Sequence, residues 1–127
     1  MTELIHRELT EQIIASFFEV YNSLGYGFLE KVYENALMIE LSRQGLSVSQ
    51  QYPITVKYAG QVVGEYFADL IVDDRVIVEI KAVRYLLKEH EAQLLNYLKA
   101  TRYEVGLILN FGPSPKIVRK ALSATPG

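Results

Sequence analysis

Apolar residues in the first part of the chain recur at helical spacing. Ile13, Ile14, Phe17, Val20, Tyr21 and Leu24 fall three or four apart and Gly25 follows them, which predicts an amphipathic helix closed by a glycine. Leu9-Thr10-Glu11-Gln12 marks its start, with Thr10 as N-cap and Leu9 able to pack on Ile14 as a staple. A second stripe, Leu29, Val32, Tyr33, Ala36, Leu37 and Leu41, predicts a helix from about Phe28 to Gln44, ended by Gly45. From Leu46 the period drops to two. LSVSQQ, ITVKY, a turn at Ala59-Gly60, QVVGEYFADLIV, a turn at Asp73-Asp74-Arg75 and VIVEIKAV read as an antiparallel meander. A third helix from about Lys88 to Arg102 buries Leu94, Leu95 and Leu98, and VGLILNF is a continuous apolar run suited to an internal strand. Pro113 and Pro115 interrupt the chain before KIVRKAL, whose type the pattern leaves open, and ATPG reads as a frayed tail. The order α-α-β-β-β-β-α-β predicts a mixed α/β (α+β) fold, a central sheet flanked by helices.

With 127 residues, half of them apolar, the chain suits a single domain over residues 1–127. The absence of Cys excludes disulfides and thiolate zinc sites, and two isolated His residues make no His-rich site, so any metal must be held mainly by oxygen. No run is apolar enough to span a membrane, and MTELIHRELTEQ lacks the regions of a signal peptide, so a cytoplasmic protein is expected. The net charge of −2 argues against a general polyanion binder, yet it hides a gradient. Residues 1–74 hold 4 Lys+Arg against 11 Asp+Glu, whereas residues 75–102 hold 6 basic side chains (Arg75, Lys81, Arg84, Lys88, Lys99, Arg102) against 3 acidic ones. The basic segment is either a surface for phosphate or an ordinary solvated helix face.

VIVEIKAV is the anomaly. Alternation puts Glu79 and Lys81 on one face of an otherwise apolar strand. A three-residue loop at Asp73, Asp74 and Arg75 would pair Val72 with Val76 and therefore place Asp69 opposite Glu79, whereas a two-residue turn would separate them. Opposed carboxylates, with Cβ atoms about 5 Å apart, repel and need an offsetting charge. Lys81 can supply it, as a structural ion pair, or a hard divalent cation can, bound in a half-open oxygen site.

Asp69 followed by Glu79-Ile80-Lys81 resembles the D…(E/D)-x-K signature of the PD-(D/E)XK nuclease superfamily, whose restriction-endonuclease-like core runs helix, three strands, helix, strand. Gly27-Phe28-Leu29-Glu30-Lys31-Val32-Tyr33 resembles the G-x-x-E-x-x-Y string that names the small GxxExxY family, and Gln93-Leu94-Leu95-Asn96-Tyr97 resembles the Q-x-x-x-Y element of RecB-like nucleases. Ala68 stands where the superfamily name has Pro. The resemblance implies a nuclease that hydrolyses phosphodiester bonds in DNA with Mg²⁺ or Mn²⁺ and no nucleotide cofactor. Asp69, Glu79 and the Ile80 carbonyl would hold the metal, and Lys81 would orient or help deprotonate water. Glu30 would hold metal-bound water or a second ion, while Gln93 and Tyr97, one turn apart, would support the site or touch phosphate. Arg84, Lys88, Lys99 and Arg102 would hold the DNA backbone. Tyr33 falls on the apolar stripe and is expected to pack, and His90, alone on a polar helix face, is left out of the catalytic set. A homodimer would let two such sites cut two strands. The rival expectation is a non-catalytic nuclease fold that binds nucleic acid or protein in a repair or defence system.

Overall fold

The helical and alternating segments form three helices and five strands in a computed structural model that describes residues 5–122. ATPG, at 124–127, lies outside them. In chain order these are α1 (Arg7–Leu24), α2 (Glu30–Arg43), β1 (Val48–Tyr58), β2 (Gln61–Val72), β3 (Val76–Lys81), α3 (Lys88–Lys99), β4 (Val105–Phe111) and β5 (Pro115–Ala121). The sheet order is β1-β2-β3-β4-β5, with β3 and β4 parallel and every other neighbour antiparallel. The parallel pair needs a crossover, which α3 supplies. Helices α1 and α2 cover one face through Phe17, Leu37 and Leu41 against Val78, Ile80, Leu107 and Leu109. Helix α3 covers the other through Leu94 and Leu98 against Ile77 and Ile108. β4 is buried along its whole length, which is why VGLILNF has no polar alternation. Among the described residues no helix is long and apolar enough to cross a membrane.

Several boundaries differ from those the pattern predicts. α1 begins at Arg7, after His6 in a left-handed conformation, and Thr10 is not its N-cap. The Thr10 hydroxyl instead donates to the Arg7 carbonyl inside the first turn at 2.9 Å. Ile5, packed against the core ahead of Leu9, extends the apolar stripe backward. LSVSQQ and ITVKY are one strand, β1, so three strands rather than four precede α3. Pro53 is tolerated there because β1 is an edge strand. KIVRKAL is the fifth strand, pinned to α3 by a Lys120–Glu91 ion pair at 2.7 Å. α3 stops at Lys99, short of Arg102, where the Thr101 hydroxyl donates to the Tyr97 carbonyl at 2.8 Å and the chain turns into β4.

α2 is also rotated from the expected stripe. Leu29 and Val32 are exposed, and the inward face is Tyr33, Glu34, Leu37 and Leu41. A carboxylate therefore points at the sheet.

Candidate active site

The β2–β3 connection has three residues, Asp73 to Arg75, and pairs Val72 with Val76, Ile71 with Ile77 and Leu70 with Val78. Asp73 and Asp74 both adopt φ 53°, and Asp73 is tied to the start of β1 by hydrogen bonds with Ser47. The ladder then ends, because β2 turns away from β3 to run on with β1 alone. Side chains take over where backbone pairing stops. The Asp69 N–H donates to Glu79 Oε2 at 2.8 Å, and the Ile80 N–H donates to Asp69 Oδ2 at 2.7 Å. Each carboxylate thus satisfies a backbone donor that the departing strand would leave bare.

The two acids sit close together in a dry place. Glu79 is only 5% exposed, and burial first, then the charge of Asp69, pushes its pKa up to about 8. Burial also raises Asp69, against the opposing Ile80 N–H, and the charge of Glu34 raises it further. Lys81, half-buried two residues beyond Glu79, opposes both shifts. Desolvation and a like-charge neighbour are the two causes expected to disfavour ionisation, and both act here.

Glu34 rather than Glu30 is the α2 carboxylate that reaches this pair. Glu30 is exposed at the first turn, while Glu34 lies one turn further in, buried, with Lys31 at 3.1 Å. Gln51 donates to Glu34 Oε1 at 3.0 Å and to Asp69 Oδ1 at 3.3 Å, and Gln50 donates to Glu34 Oε2 at 2.9 Å. Gln51 holds φ 51°, a left-handed conformation that costs a non-glycine residue roughly 1–3 kcal/mol. That backbone directs its amide to bridge two acids. Neither Gln51 nor Glu34 was singled out by sequence motif. Glu34 could have been found from its 34, 37, 41 spacing, which places a carboxylate on the helix's apolar stripe.

On the opposite flank, Tyr97 of α3 is buried and its pKa is pushed up to about 12, first by burial and then by the charges of Glu79 and Asp69. Gln93 hydrogen-bonds the Tyr97 hydroxyl. The Q-x-x-x-Y pair therefore stands beside the acids. Arg84 and Lys88 are exposed in and just after the segment following β3, and Lys99 is exposed beside Tyr97 and Tyr66. Arg102 departs from expectation. It pairs with Asp74 at 2.6 Å and lies 4.8 Å over the Tyr103 ring, at the turn that begins β3 rather than the end that carries Lys81. β3 runs from Val76 to Lys81, five steps, so its ends lie roughly 17 Å apart. The Arg102 guanidinium already has an exposed carboxylate partner, away from the acids.

Two other residues have structural tasks. The Tyr33 ring stacks on Phe111 at 4.3 Å, while its hydroxyl donates to the Gly25 carbonyl at 2.6 Å and accepts the Phe28 N–H at 3.1 Å. The first and last residues of the G-x-x-E-x-x-Y string thus shape the α1–α2 loop, where Gly27 has φ 121°. His90 accepts the Leu87 N–H on Nδ1 at 3.0 Å and so caps α3.

The donor set fits a hard divalent cation. Two neighbouring carboxylates that burial disfavours as anions, Glu79 further raised by the charge of Asp69, are relieved by positive charge between them, and every candidate donor is oxygen. Among the described residues no three acidic or His side chains form a ready enclosure, so an ion at Asp69 and Glu79 would keep water or substrate in its remaining positions.

Among curated proteins none matches this chain. The crystal structure of SSO0001 has a similar fold, with TM-score 0.60 at 17% identity over 96% of this chain and 62% of that one. The chain thus spans less than two thirds of that protein's length. A family model described as the PD-(D/E)XK nuclease superfamily matches residues 7–120. Taken with the mixed five-stranded sheet and the Asp69, Glu79 and Lys81 constellation at its opening, that match places this chain in the PD-(D/E)XK nuclease superfamily.

Proposed function

We propose that this protein is a metal-dependent nuclease that hydrolyses phosphodiester bonds of DNA. The observation that carries the reading is the reciprocal contact of Asp69 and Glu79 with each other's strands, at the point where β2 and β3 part. Mg²⁺ or Mn²⁺ held by Asp69, Glu79 and the Ile80 carbonyl would supply Lewis acidity toward the phosphate and acidify water. The chain's own groups do the rest. Lys81 orients the attacking water and offsets the negative charge that grows on the phosphoryl oxygens. Glu34 and Gln51 hold Asp69 in position from the α2 side, so Glu34 takes the part first expected of Glu30. Gln93 and Tyr97 present neutral hydrogen-bonding groups from the α3 side, Tyr97 remaining protonated at any working pH. Arg84, Lys88 and Lys99, all exposed, hold the phosphate backbone.

The test is cleavage of plasmid, linear, single-stranded and branched DNA, with RNA alongside, in Mn²⁺. Wild type is expected to cut, and Asp69→Ala and Lys81→Ala are expected to lose about 10²-fold or more. Equal cleavage by all three preparations would identify a contaminant and remove the proposal's support. The low overall basicity favours a second reading, a non-catalytic binding module. That reading requires that Mn²⁺ leave the melting temperature of wild type unchanged.

The two α2 acids separate cleanly. Glu34→Gln is expected to lower kcat/KM by about 10- to 100-fold, the usual effect of losing a group that supports a metal ligand. Glu30→Gln is expected to change it by less than about 3-fold, because an exposed surface charge acts weakly. Steady-state kinetics on one oligonucleotide decides the matter, and the opposite ranking would return the role to Glu30.

A further inference from the structure

A cavity of about 300 Å³ opens where the α1–α2 loop meets the ends of β3 and β4, walled by Tyr26, Phe28, Leu29, Val83, Arg84 and Phe111. Three buried or half-buried polar side chains hold its walls. Tyr33 pins the loop at Gly25 and Phe28. Asn110, 1% exposed, accepts the Val83 N–H at 3.0 Å and donates to the Val83 carbonyl at 2.9 Å. Tyr21 donates to the Gly112 carbonyl at 2.6 Å. The exits of β3 and β4 touch so closely that a Cβ on Gly112 would lie 2.2 Å from the Val83 carbonyl oxygen. The cavity is therefore built in advance. Yet Tyr26 is 58% exposed, Phe28 48% and Leu29 82%, so these apolar groups face solvent.

We infer that this cavity receives one unpaired nucleotide of the DNA strand whose phosphate lies at Asp69 and Glu79, and so selects single-stranded or splayed substrates. The inference rests on the nuclease reading for the location of that phosphate. Ala82 and Val83, in the cavity wall, directly follow Lys81. Leu29, in the opposite wall, precedes Glu30, and Glu34 lies about 6 Å further along the helix axis. The cavity wall thus begins at the residue after Lys81, within the reach of one nucleotide from that side chain. Its chemistry is that of a base platform, with aromatic faces for stacking and one guanidinium, Arg84, for a phosphate. A protein of net charge −2 is not built to grip a long regular duplex by charge alone. A base inside a duplex cannot enter such a cavity, whereas an unstacked one can.

The test uses the Glu79→Gln protein, so that binding is read without cleavage. Fluorescence anisotropy compares a mixed-sequence single-stranded oligonucleotide with the blunt duplex of the same sequence, in Mg²⁺. The single strand is expected to bind at least about 10-fold tighter. Phe28→Ala on this background is expected to weaken single-strand binding by about 5- to 100-fold and to leave duplex binding within about 2-fold. A 2-aminopurine in the oligonucleotide should be quenched by the parent and not by Phe28→Ala. Leu29→Ala, at an exposed position, carries the same expectation and decides the matter if Phe28→Ala melts early. Equal affinity for single strand and duplex, or variants that bind the single strand as the parent does, overturns the inference. Cleavage by the protein with Glu79 intact reports separately on the nuclease reading. A protein that never cuts but shows the stacking preference keeps the cavity and loses the nuclease, and one that cuts while Phe28→Ala changes nothing loses only the cavity.

Discussion

Glu79→Gln is expected to reduce cleavage by about 10³-fold and, in the absence of metal, to stabilise the protein above neutral pH. Both effects come from one buried carboxyl. Folded Glu79 is pushed up to about 8 from an ordinary value of 4.5, by burial and then by Asp69. At pH below the ordinary value both folded and unfolded chains bind the proton, and stability is greatest. Between the two values the folded chain holds a proton that the unfolded chain has released, so stability falls as pH rises, and the loss is complete above about 8. The total is on the order of a few kcal/mol. Thermal unfolding in chelator from pH 5 to 9 should show a falling melting temperature for wild type and a much shallower fall for Glu79→Gln, with Asp69 supplying the remainder. Mn²⁺ should restore wild type at high pH and leave the variant unmoved. A variant that follows the wild-type slope would mean that Glu79 titrates normally and that no charge is stored at the strand gap.

Phe111→Ala is expected to carry the largest cost to folding among single changes near the site, about 3–5 kcal/mol. Phe111 is fully buried at the end of β4, stacked on Tyr33 at 4.3 Å and edge-on to Phe17 at 4.6 Å. It thus joins α1, α2 and the sheet through one ring. Losses of this size correspond to a fall in melting temperature on the order of 10–20 °C for a domain of this length. Phe111→Leu, which keeps most of the volume, should cost less than about 1.5 kcal/mol. Urea unfolding of the two variants measures the difference. If alanine costs no more than leucine, the ring stack is not what joins the layers.

Much of the site could be read from the chain because it depends on local counting. The length of the Asp73–Arg75 loop sets the register, and that register brings Asp69 and Glu79 together just beyond its last pair, Leu70 with Val78. Gln93 and Tyr97 share a face because helix geometry returns after about four residues. Glu34 was missed for a reason of the same kind. The string that contains Glu30 points to the first turn of α2, and a stripe extended outward to Leu29 and Val32, which the structure leaves in solvent, hides that Glu34 is the acid turned inward. The Arg102–Asp74 pair is not legible in the chain because the two residues are 28 apart in sequence. A tally of charge along the chain does not show which charges meet across a fold.

Periodicity, loop length and residue type by themselves determined that this chain forms helices on a mixed sheet and that an acid of its second strand meets an acid and a lysine of its third. These are set by covalent spacing, and a slip of one position would bury charge and expose the core. Tertiary structure alone decided which acid of α2 turns inward, how Gln51 bends to bridge Glu34 and Asp69, and that Tyr33, Asn110 and Tyr21 shape one cavity. A helix turns by about 100° per residue, so its inward face is chosen only when the whole of it packs, and hydrogen bonds between distant segments exist only after that packing is complete.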